Sequence, residues 1–170
     1  MVFTDSGFGF PVVIHNADTM NIRGKIVPKV NLLELERTIL ERLVVIQRRL
    51  TGNEVRFIRL WLKMGATAFA NTLGVTHPAV LGWEKRGDRP TTMNWGTEFL
   101  LRFNLATELN MPTSALVDFA ASKVPVTQSD TYEPMQIVLD TQWVACANTS
   151  VTSSHAVNTK AGVNVLIHAA

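Results

Sequence analysis

The segment 85–90 (KRGDRP) places three basic side chains within one short stretch of the chain. They are Lys85, Arg86 and Arg89. Guanidinium and ammonium groups donate charge-assisted hydrogen bonds to phosphate and carboxylate oxygens. Thr76 and His77, whose side chains also form hydrogen bonds, precede this stretch by roughly two helical turns. The spacing predicts a basic surface that binds an anionic partner; the alternative is an ordinary solvated loop.

Groups suited to catalysis or metal binding do not converge in the sequence. Ser153, His155 and Asp140 are the residue types of a hydrolytic triad, but no serine lies in the nucleophile-elbow spacing. Neither a Walker-type loop nor a G-x-G-x-x-G motif after a strand is present. Cys146, the only cysteine, lies in an apolar run, and one cysteine with four scattered histidines cannot form a zinc ribbon or finger. We therefore expect no enzymatic activity, no cofactor and no metal.

Charge is distributed unevenly along the 170 residues, although the formal net charge is only +2. Residues 1–103 hold 14 basic and 9 acidic residues, a balance of +5, whereas residues 104–170 hold 2 and 5, a balance of −3. The basic part contains the segment 85–90, which favours a polyanionic partner. A single cysteine, no apolar run of ~20 residues and no signal-peptide pattern at the start predict a cytoplasmic protein with no membrane partner.

Two short helices within 67–84 (TAFANTLGVTHPAVLGWE) are predicted to position these groups. The first runs to about Leu73, and Gly74 supplies the left-handed conformation that ends it. Thr76 is placed to cap the second helix, and Pro78 lies in the first turn, where a missing N–H is tolerated. Two short helices joined by a glycine turn form a helix-turn-helix.

An amphipathic helix is predicted over 31–47, with Asn31 as its N-cap. Its apolar stripe consists of Leu32, Leu35, Ile39, Leu43 and Ile46. The stripe packs either on the core of the same chain or on a second copy. A further helix begins near Gly52, after the capping box Thr51-x-x-Glu54, and ends at Gly65.

Beyond the helix-turn-helix, a helix is predicted over 93–110 and a shorter one over 113–121. The apolar positions of the first are Phe99, Leu100, Phe103, Leu105 and Leu109. Residues 123–134 have the composition of a linker.

Short strands are predicted at both ends of the chain. The candidates are 11–14, 22–27, 135–146 and 162–168, with Phe8 and Phe10 as core residues beside the first. We expect the C-terminal strands to pair with the N-terminal ones, because an exposed apolar edge would otherwise favour association.

The stretch 67–84 resembles the Xre/Cro family of helix-turn-helix repressors. The residues that carry the resemblance are Phe69-Ala70, Leu73-Gly74-Val75-Thr76, Val80 and Trp83-Glu84. Upstream, 50–65 (LTGNEVRFIRLWLKMG) is similar to the first helix of the family and the turn after it. The resemblance implies that Arg59 pairs with Glu84 at the back of the motif. The chain departs from the family at Ala66, where glutamine is usual, and by one extra residue before Gly87.

The sequence therefore predicts a mainly helical α+β protein, with a lambda-repressor-like helix-turn-helix domain and N- and C-terminal β segments. Residues 1–49 hold the N-terminal strands and the long helix, and residues 50–122 form the helix-turn-helix domain. Residues 123–170 hold the linker and the β-rich C-terminal segment. The resemblance implies a sequence-specific, DNA-binding transcriptional repressor associated with the nucleoid. We expect the major groove to meet Thr76, His77, Leu81 and Lys85, and phosphate to meet Lys85, Arg86 and Arg89. Asn53 is expected to add a contact with the DNA backbone.

Three partners follow from this interpretation. Double-stranded DNA is the first, and a second copy of the chain in a two-fold dimer is the next. The region from Leu50 also resembles antitoxins that repress their own operons, which would add a toxin protein. The alternative is a protein-interaction or structural module that keeps the helix-turn-helix without binding DNA, and Ala66, Pro78 and Gly82 favour it.

Overall fold

The computed structural model describes residues 1–122 and 135–138, which form a mixed, mainly helical α+β protein. The elements are β1 (Phe3–Asp5), β2 (Val12–His15), β3 (Thr19–Ile22), β4 (Lys25–Pro28), α1 (Leu32–Val45), α2 (Gly52–Trp61), α3 (Ala66–Thr72), α4 (His77–Glu84), α5 (Trp95–Glu108), a 3-10 helix (Thr113–Leu116), α6 (Val117–Ser122) and β5 (Met135–Val138). Among these residues, no helix is both long and apolar enough to cross a membrane.

A three-stranded sheet joins the N-terminal strands to residues 135–138, in the order β1-β2-β5. β1 is antiparallel to β2, and β5 is parallel to β2, with Val12 opposite Met135. The predicted pairing of a C-terminal strand with an N-terminal one is confirmed for residues 135–138. The predicted linker 123–134 and the predicted strand at 162–168 lie outside the described residues, as do Asp140, Cys146, Ser153 and His155.

The prediction of one strand over 22–27 is wrong. A two-residue turn divides this segment into the hairpin β3–β4, with Arg23 and Gly24 at φ 52° and 82°. Two successive residues with positive φ match the right-handed twist of a tight hairpin, so the chain reverses here rather than continuing as a strand. The Asn21 side-chain oxygen accepts a hydrogen bond from the Gly24 N–H at 2.8 Å and holds the turn.

Helix α1 begins as predicted, because the Asn31 side chain accepts a hydrogen bond from the Leu33 N–H at 3.1 Å. Its predicted apolar stripe is only partly buried. Leu32 is 56% exposed, and Ile46 lies beyond the end of the helix. The buried residues of α1 are Leu35, Ile39, Leu40, Leu43 and Val44. They pack in the core of this chain, so they are not a surface for a second copy.

The capping box at the start of α2 is confirmed. The Thr51 hydroxyl accepts from the Glu54 N–H at 3.3 Å, and the Glu54 carboxylate accepts from the Thr51 N–H at 2.8 Å. The prediction that Gly65 ends α2 is wrong. Lys63, at φ 56°, is the left-handed residue that follows the helix, and Gly65 is instead the N-cap of α3.

Helix α5 buries only part of the apolar set that the sequence predicts, since Leu105 and Leu109 are buried and other members are not. Leu100 and Phe103 are exposed, whereas the charged Glu98 and Arg102 are buried. The apolar residues that remain on the buried face are Leu101, Leu105, Ala106 and Leu109. The orientation of α5 is thus set partly by an ion pair, which the apolar pattern did not indicate.

Arg102 is completely buried and anchors α5 to the end of α1. Its Nη1 donates to the last carbonyl oxygens of α1 and its cap: Leu43 (2.9 Å), Val44 (3.1 Å) and Ile46 (2.9 Å). Its Nη2 donates to the carbonyl of Arg48 at 2.7 Å and to the carboxylate of Glu98 at 2.8 Å. Burial lowers the pKa of Arg102, and the negative charge of Glu98 opposes that shift.

The carboxylates of Glu98 and Glu54 hold the loop between α1 and α2. Glu98 accepts a hydrogen bond from the Leu50 N–H at 3.1 Å and lies 3.7 Å from the guanidinium of Arg49. Arg48 donates two hydrogen bonds to the buried carboxylate of Glu54, at 2.9 and 2.6 Å. The start of α2 is therefore fixed to α5 through buried, charge-assisted hydrogen bonds.

One hydrophobic core is shared by the sheet and the helices. The ring of Phe10 is buried and meets Phe57 of α2 edge to face, with the centroids 5.5 Å apart. Phe8 makes a similar contact with Phe57 at 5.8 Å. Phe10 is thus a core residue, as the sequence predicts, and Phe8 is partly buried and packs against the core.

Replacing Glu98 by Gln leaves Arg102 as a buried, uncompensated cation, which typically costs ~3–5 kcal/mol. We expect the melting temperature of Glu98→Gln to fall by roughly 6–20 °C, at ~2–4 °C per kcal/mol for a chain of this size. The control is Glu108→Gln, an exposed carboxylate on the same helix, for which we expect a change within ~0.5 kcal/mol. Equal melting temperatures for the two variants in calorimetry would contradict the role given to Glu98.

Candidate nucleic-acid interface

Helices α3 and α4 pack against each other across a tight turn. Gly74 in this turn has φ 63°, which L-residues rarely adopt, and the Val75 N–H donates to the Ala70 carbonyl at 3.0 Å. Phe69 and Ala70 are buried beneath the turn, and the small Ala70 allows the second helix to approach. The predicted pair of helices and its glycine turn are confirmed, with the first helix ending at Thr72, one residue earlier than expected.

Thr76 is the N-cap of α4 by position, but its side chain accepts no capping hydrogen bond. The prediction of a capping role for its hydroxyl is therefore wrong. The hydroxyl is exposed and is not engaged with the described residues, so it is available to a partner. Pro78 lies in the first turn of α4, as predicted.

One side of α4 is buried and the other is free. Val80 is fully buried and Trp83 is 7% exposed, and they hold the helix on the core. The exposed side presents the residues expected to meet the major groove: Thr76, His77, Leu81 and Lys85. Pro78 and Gly82 lie on the same side, so the surface offers few polar groups for its area.

A bidentate ion pair fixes α4 to α2. The Arg59 Nε and Nη2 donate to the two carboxylate oxygens of Glu84 at 2.6 and 3.0 Å, and the Arg59 Nη1 donates to the Met64 carbonyl at 2.9 Å. Both side chains are only 12% exposed. The hydrogen bonds to Glu84 raise the pKa of Arg59, so its guanidinium stays charged. The pairing of these two residues, which the resemblance implied, is confirmed.

The basic segment 85–90 is held against the first turn of α2 by its backbone. Gly52 N–H donates to the Arg89 carbonyl at 3.3 Å, and Asn53 N–H donates to the Gly87 carbonyl at 2.9 Å. The Thr91 N–H donates to the Leu50 carbonyl at 2.9 Å and extends this contact. The carbonyls of the segment thus accept hydrogen bonds from the first N–H groups of α2. These bonds fix the segment to α2 and so give it a defined position relative to α4.

The three basic side chains of the segment differ in exposure. Lys85 and Arg89 are exposed, and the Arg89 Nε donates to the carbonyl of Arg86 at 3.5 Å. Arg86 is half-buried, and its Nε donates to the carbonyl of Pro90 within the same segment. Lys85 and Arg89 are thus the cations best placed to reach a phosphate, while Arg86 also braces the turn.

Two further residues shape this surface. The Asn53 side chain, for which we expected a contact with the DNA backbone, donates to the carboxylate of Asp88 at 2.8 Å. That carboxylate places a negative charge among the three cations. Asp88 was not among the predicted site residues, although its position inside the basic segment is visible in the sequence.

Gly52 was also missed as a structural requirement of this surface. A Cβ atom at position 52 would overlap the carbonyl oxygen of Trp83 and lie 2.9 Å from the Gly87 nitrogen and 3.0 Å from the Glu84 oxygen. Helix α2 therefore touches the end of α4 backbone to backbone. The sequence contains one indication of this requirement. Glycine is a poor helix former, yet it stands at the first position after the N-cap.

Among the described residues, no three histidine, cysteine, aspartate or glutamate side chains are arranged to hold a metal ion. The comparisons with protein-family models, with curated proteins and with solved structures found no match to this chain.

Glycine at position 52 can be compared directly with Gly82 of α4, around which a Cβ would meet nothing within 4 Å. We expect Gly52→Ala to destabilise the protein by ~1–3 kcal/mol or more, because rigid backbone must move to admit the methyl group. Gly82→Ala should instead stabilise it by ~0.5–1 kcal/mol, since alanine is the better helix former. Urea denaturation measures both. A Gly52→Ala variant as stable as the wild type would show that α2 and α4 are not in this close contact.

Proposed function

We propose that this chain is a DNA-binding transcriptional repressor of the Xre/Cro type, in which α3 and α4 are the helix-turn-helix of a lambda-repressor-like domain. The observation that carries the proposal is the bidentate pair of Arg59 with Glu84, at the positions that the resemblance requires. Chance similarity in a short stretch would not be expected to place these two residues, 25 positions apart, in direct contact. The pair supports the alignment, and the alignment supports the function.

In this proposal α4 enters the major groove with its exposed side. Thr76 and His77 supply hydrogen-bonding groups for base edges, and Leu81 supplies an apolar contact for a thymine methyl group. Lys85 and Arg89 bind phosphate on the adjacent strand, and Arg86 contributes to the same field. Phosphate contacts would provide most of the affinity, because α4 offers few groups that distinguish one base from another.

The second candidate function is protein docking, and a specific surface favours it. Helix α5 exposes an apolar side on which Trp95 stacks on Phe99, with the ring centroids 5.2 Å apart and the planes inclined by 14°. Leu100 and Phe103 extend it and are 38% and 41% exposed. A toxin partner, if the chain is an antitoxin, is one protein that such a surface would accept.

We assign this surface first to a second copy of the chain. The two charged residues between Trp95 and Thr107, Glu98 and Arg102, are buried, so the exposed side of α5 carries no charge there and two copies related by a two-fold axis would meet without like-charge repulsion. Aromatic side chains are enriched at such interfaces. The dimer would bind a palindromic operator, with two recognition helices about 34 Å apart.

DNA binding is tested with the double variant Lys85→Gln/Arg89→Gln. We expect it to bind random and operator duplexes more weakly, by the same factor for both. The slope of log binding constant against log salt concentration should become shallower by about 1.8, at about 0.9 for each lost phosphate contact. Fluorescence anisotropy across a range of salt concentrations measures both quantities. The control is Arg42→Gln/Lys63→Gln, which removes the same charge from α1 and from the residue after α2. If the wild type binds no duplex, or if the two double variants behave identically, the proposed interface is wrong.

The dimer is tested by sedimentation equilibrium at micromolar concentration. We expect twice the chain mass of 18.8 kDa for the wild type, and a monomer for Phe103→Glu, because a charge on each copy would be buried opposite its equivalent. Gln47→Glu adds the same charge at an exposed position outside α5 and should remain a dimer. A monomeric wild type, with and without DNA, would refute the two-fold arrangement.

A further inference from the structure

The hairpin β3–β4 is largely exposed to solvent. All four residues of β3 are exposed, as are Lys25 and Ile26 of β4. Within the described parts of the chain, no hydrogen bond or ion pair joins the segment 19–29 to a helix. Its base is closed by the Lys29 N–H, which donates to the Asp18 carbonyl at 2.7 Å.

This hairpin is nevertheless well defined in shape. Four cross-strand pairs set its register, from Thr19 opposite Pro28 to Ile22 opposite Lys25. The turn at Arg23 and Gly24 is held by the side chain of Asn21. An isolated two-stranded hairpin is only marginally stable in water, so an exposed one is best explained by a partner that covers it.

The composition of the hairpin indicates the chemistry of that partner. Three basic residues and no acidic residue lie between Thr19 and Lys29. They are Arg23, Lys25 and Lys29. Ile22 and Ile26 beside the turn are 51% and 59% exposed. They lie on opposite faces of the hairpin, because Ile22 is opposite Lys25 and Ile26 is opposite Asn21. Cations combined with exposed apolar groups fit a partner that offers both anionic and apolar surface.

We propose that β3–β4 is a second DNA-binding element, a ribbon that lies in a groove of the duplex. The two strands of a ribbon lie ~5 Å apart, and the major groove, which is ~12 Å wide, admits such a ribbon. The basic side chains bind phosphates on the groove walls, and Ile22, on the face that enters the groove, contacts the edges of bases. A second copy of the hairpin is a poorer occupant, because it would place like charges opposite each other.

This inference rests on the proposed function, and the experiment separates the two. Full-length wild type and Arg23→Gln/Lys25→Gln are titrated against a fluorescein-labelled random 30-base-pair duplex over a range of salt concentrations. If the variant loses only the two phosphate contacts, the slope of log binding constant against log salt concentration should become shallower by about 1.8. Its binding at 0.1 M salt should then be roughly 60-fold weaker than that of the wild type. The matched control is again Arg42→Gln/Lys63→Gln. Because all four positions are outside the buried core, each variant should fold like the wild type.

A second variant, Ile22→Ser, tests the contact with bases against Ile26→Ser, its control on the opposite face. We expect weaker binding with an unchanged salt slope, because an apolar contact releases no counterions. Unchanged affinity would overturn this part of the proposal.

The outcomes are distinct. If Arg23→Gln/Lys25→Gln binds like the control while Lys85→Gln/Arg89→Gln is weakened, the ribbon is wrong and the proposed function stands. If only the ribbon variant is weakened, the ribbon stands and the helix-turn-helix interface falls. If the wild type binds no duplex, both fall. If the ribbon variant loses self-association or binding to vesicles of phosphatidylserine and phosphatidylcholine, with duplex binding unchanged, the ribbon serves another surface and the inference is overturned.

Discussion

The buried guanidinium of Arg102 is the constraint on which the helical body depends. A charged group in the core must be neutralised and fully hydrogen-bonded, or it costs several kcal/mol. The two Nη atoms of Arg102 donate to the terminal carbonyls of α1 and to the carboxylate of Glu98, which neutralises the guanidinium. The end of α1, whose carbonyls have no partner within the helix, thus receives donors from α5. The two helices can pack in only one relative rotation and register if these contacts are to form.

That constraint extends to the candidate interface through a short series of contacts. Glu98 holds the backbone of Leu50, directly before the cap of α2. The first N–H groups of α2 then hold the carbonyls of Gly87 and Arg89 in the basic segment. At the other end of α2, Arg59 holds Glu84 at the end of α4. Helix α2 is therefore the element that sets the position of α4 and of the cations that follow it.

If the chain binds DNA as proposed, the division of work between its parts follows from their rigidity and charge. The helix α4 is fixed by a bidentate ion pair and backbone contacts, which suits a role in orientation on the duplex. The hairpin β3–β4 is largely exposed, and among the described residues it has no hydrogen bond to a helix, which suits a separate contact with the groove. The Asp88 carboxylate among the cations moderates the positive field of the segment 85–90. Specific binding would then depend on dimerisation and on both elements together.

Local patterns in the sequence determined much of the site. The capping box at Thr51, the left-handed Gly74, the buried Val80 and the partner of Arg59 were each predictable, because neighbouring residues or a known motif specify them. Other features required the tertiary structure. The buried face of α5 is set by the contacts of Glu98 and Arg102 with α1 and the loop after it. The spacing of apolar residues cannot reveal a buried ion pair. The need for glycine at position 52 arises from the backbone of α4, more than 30 residues later in the chain. Only the fold could decide these points, because each depends on groups that are distant in sequence and adjacent in space.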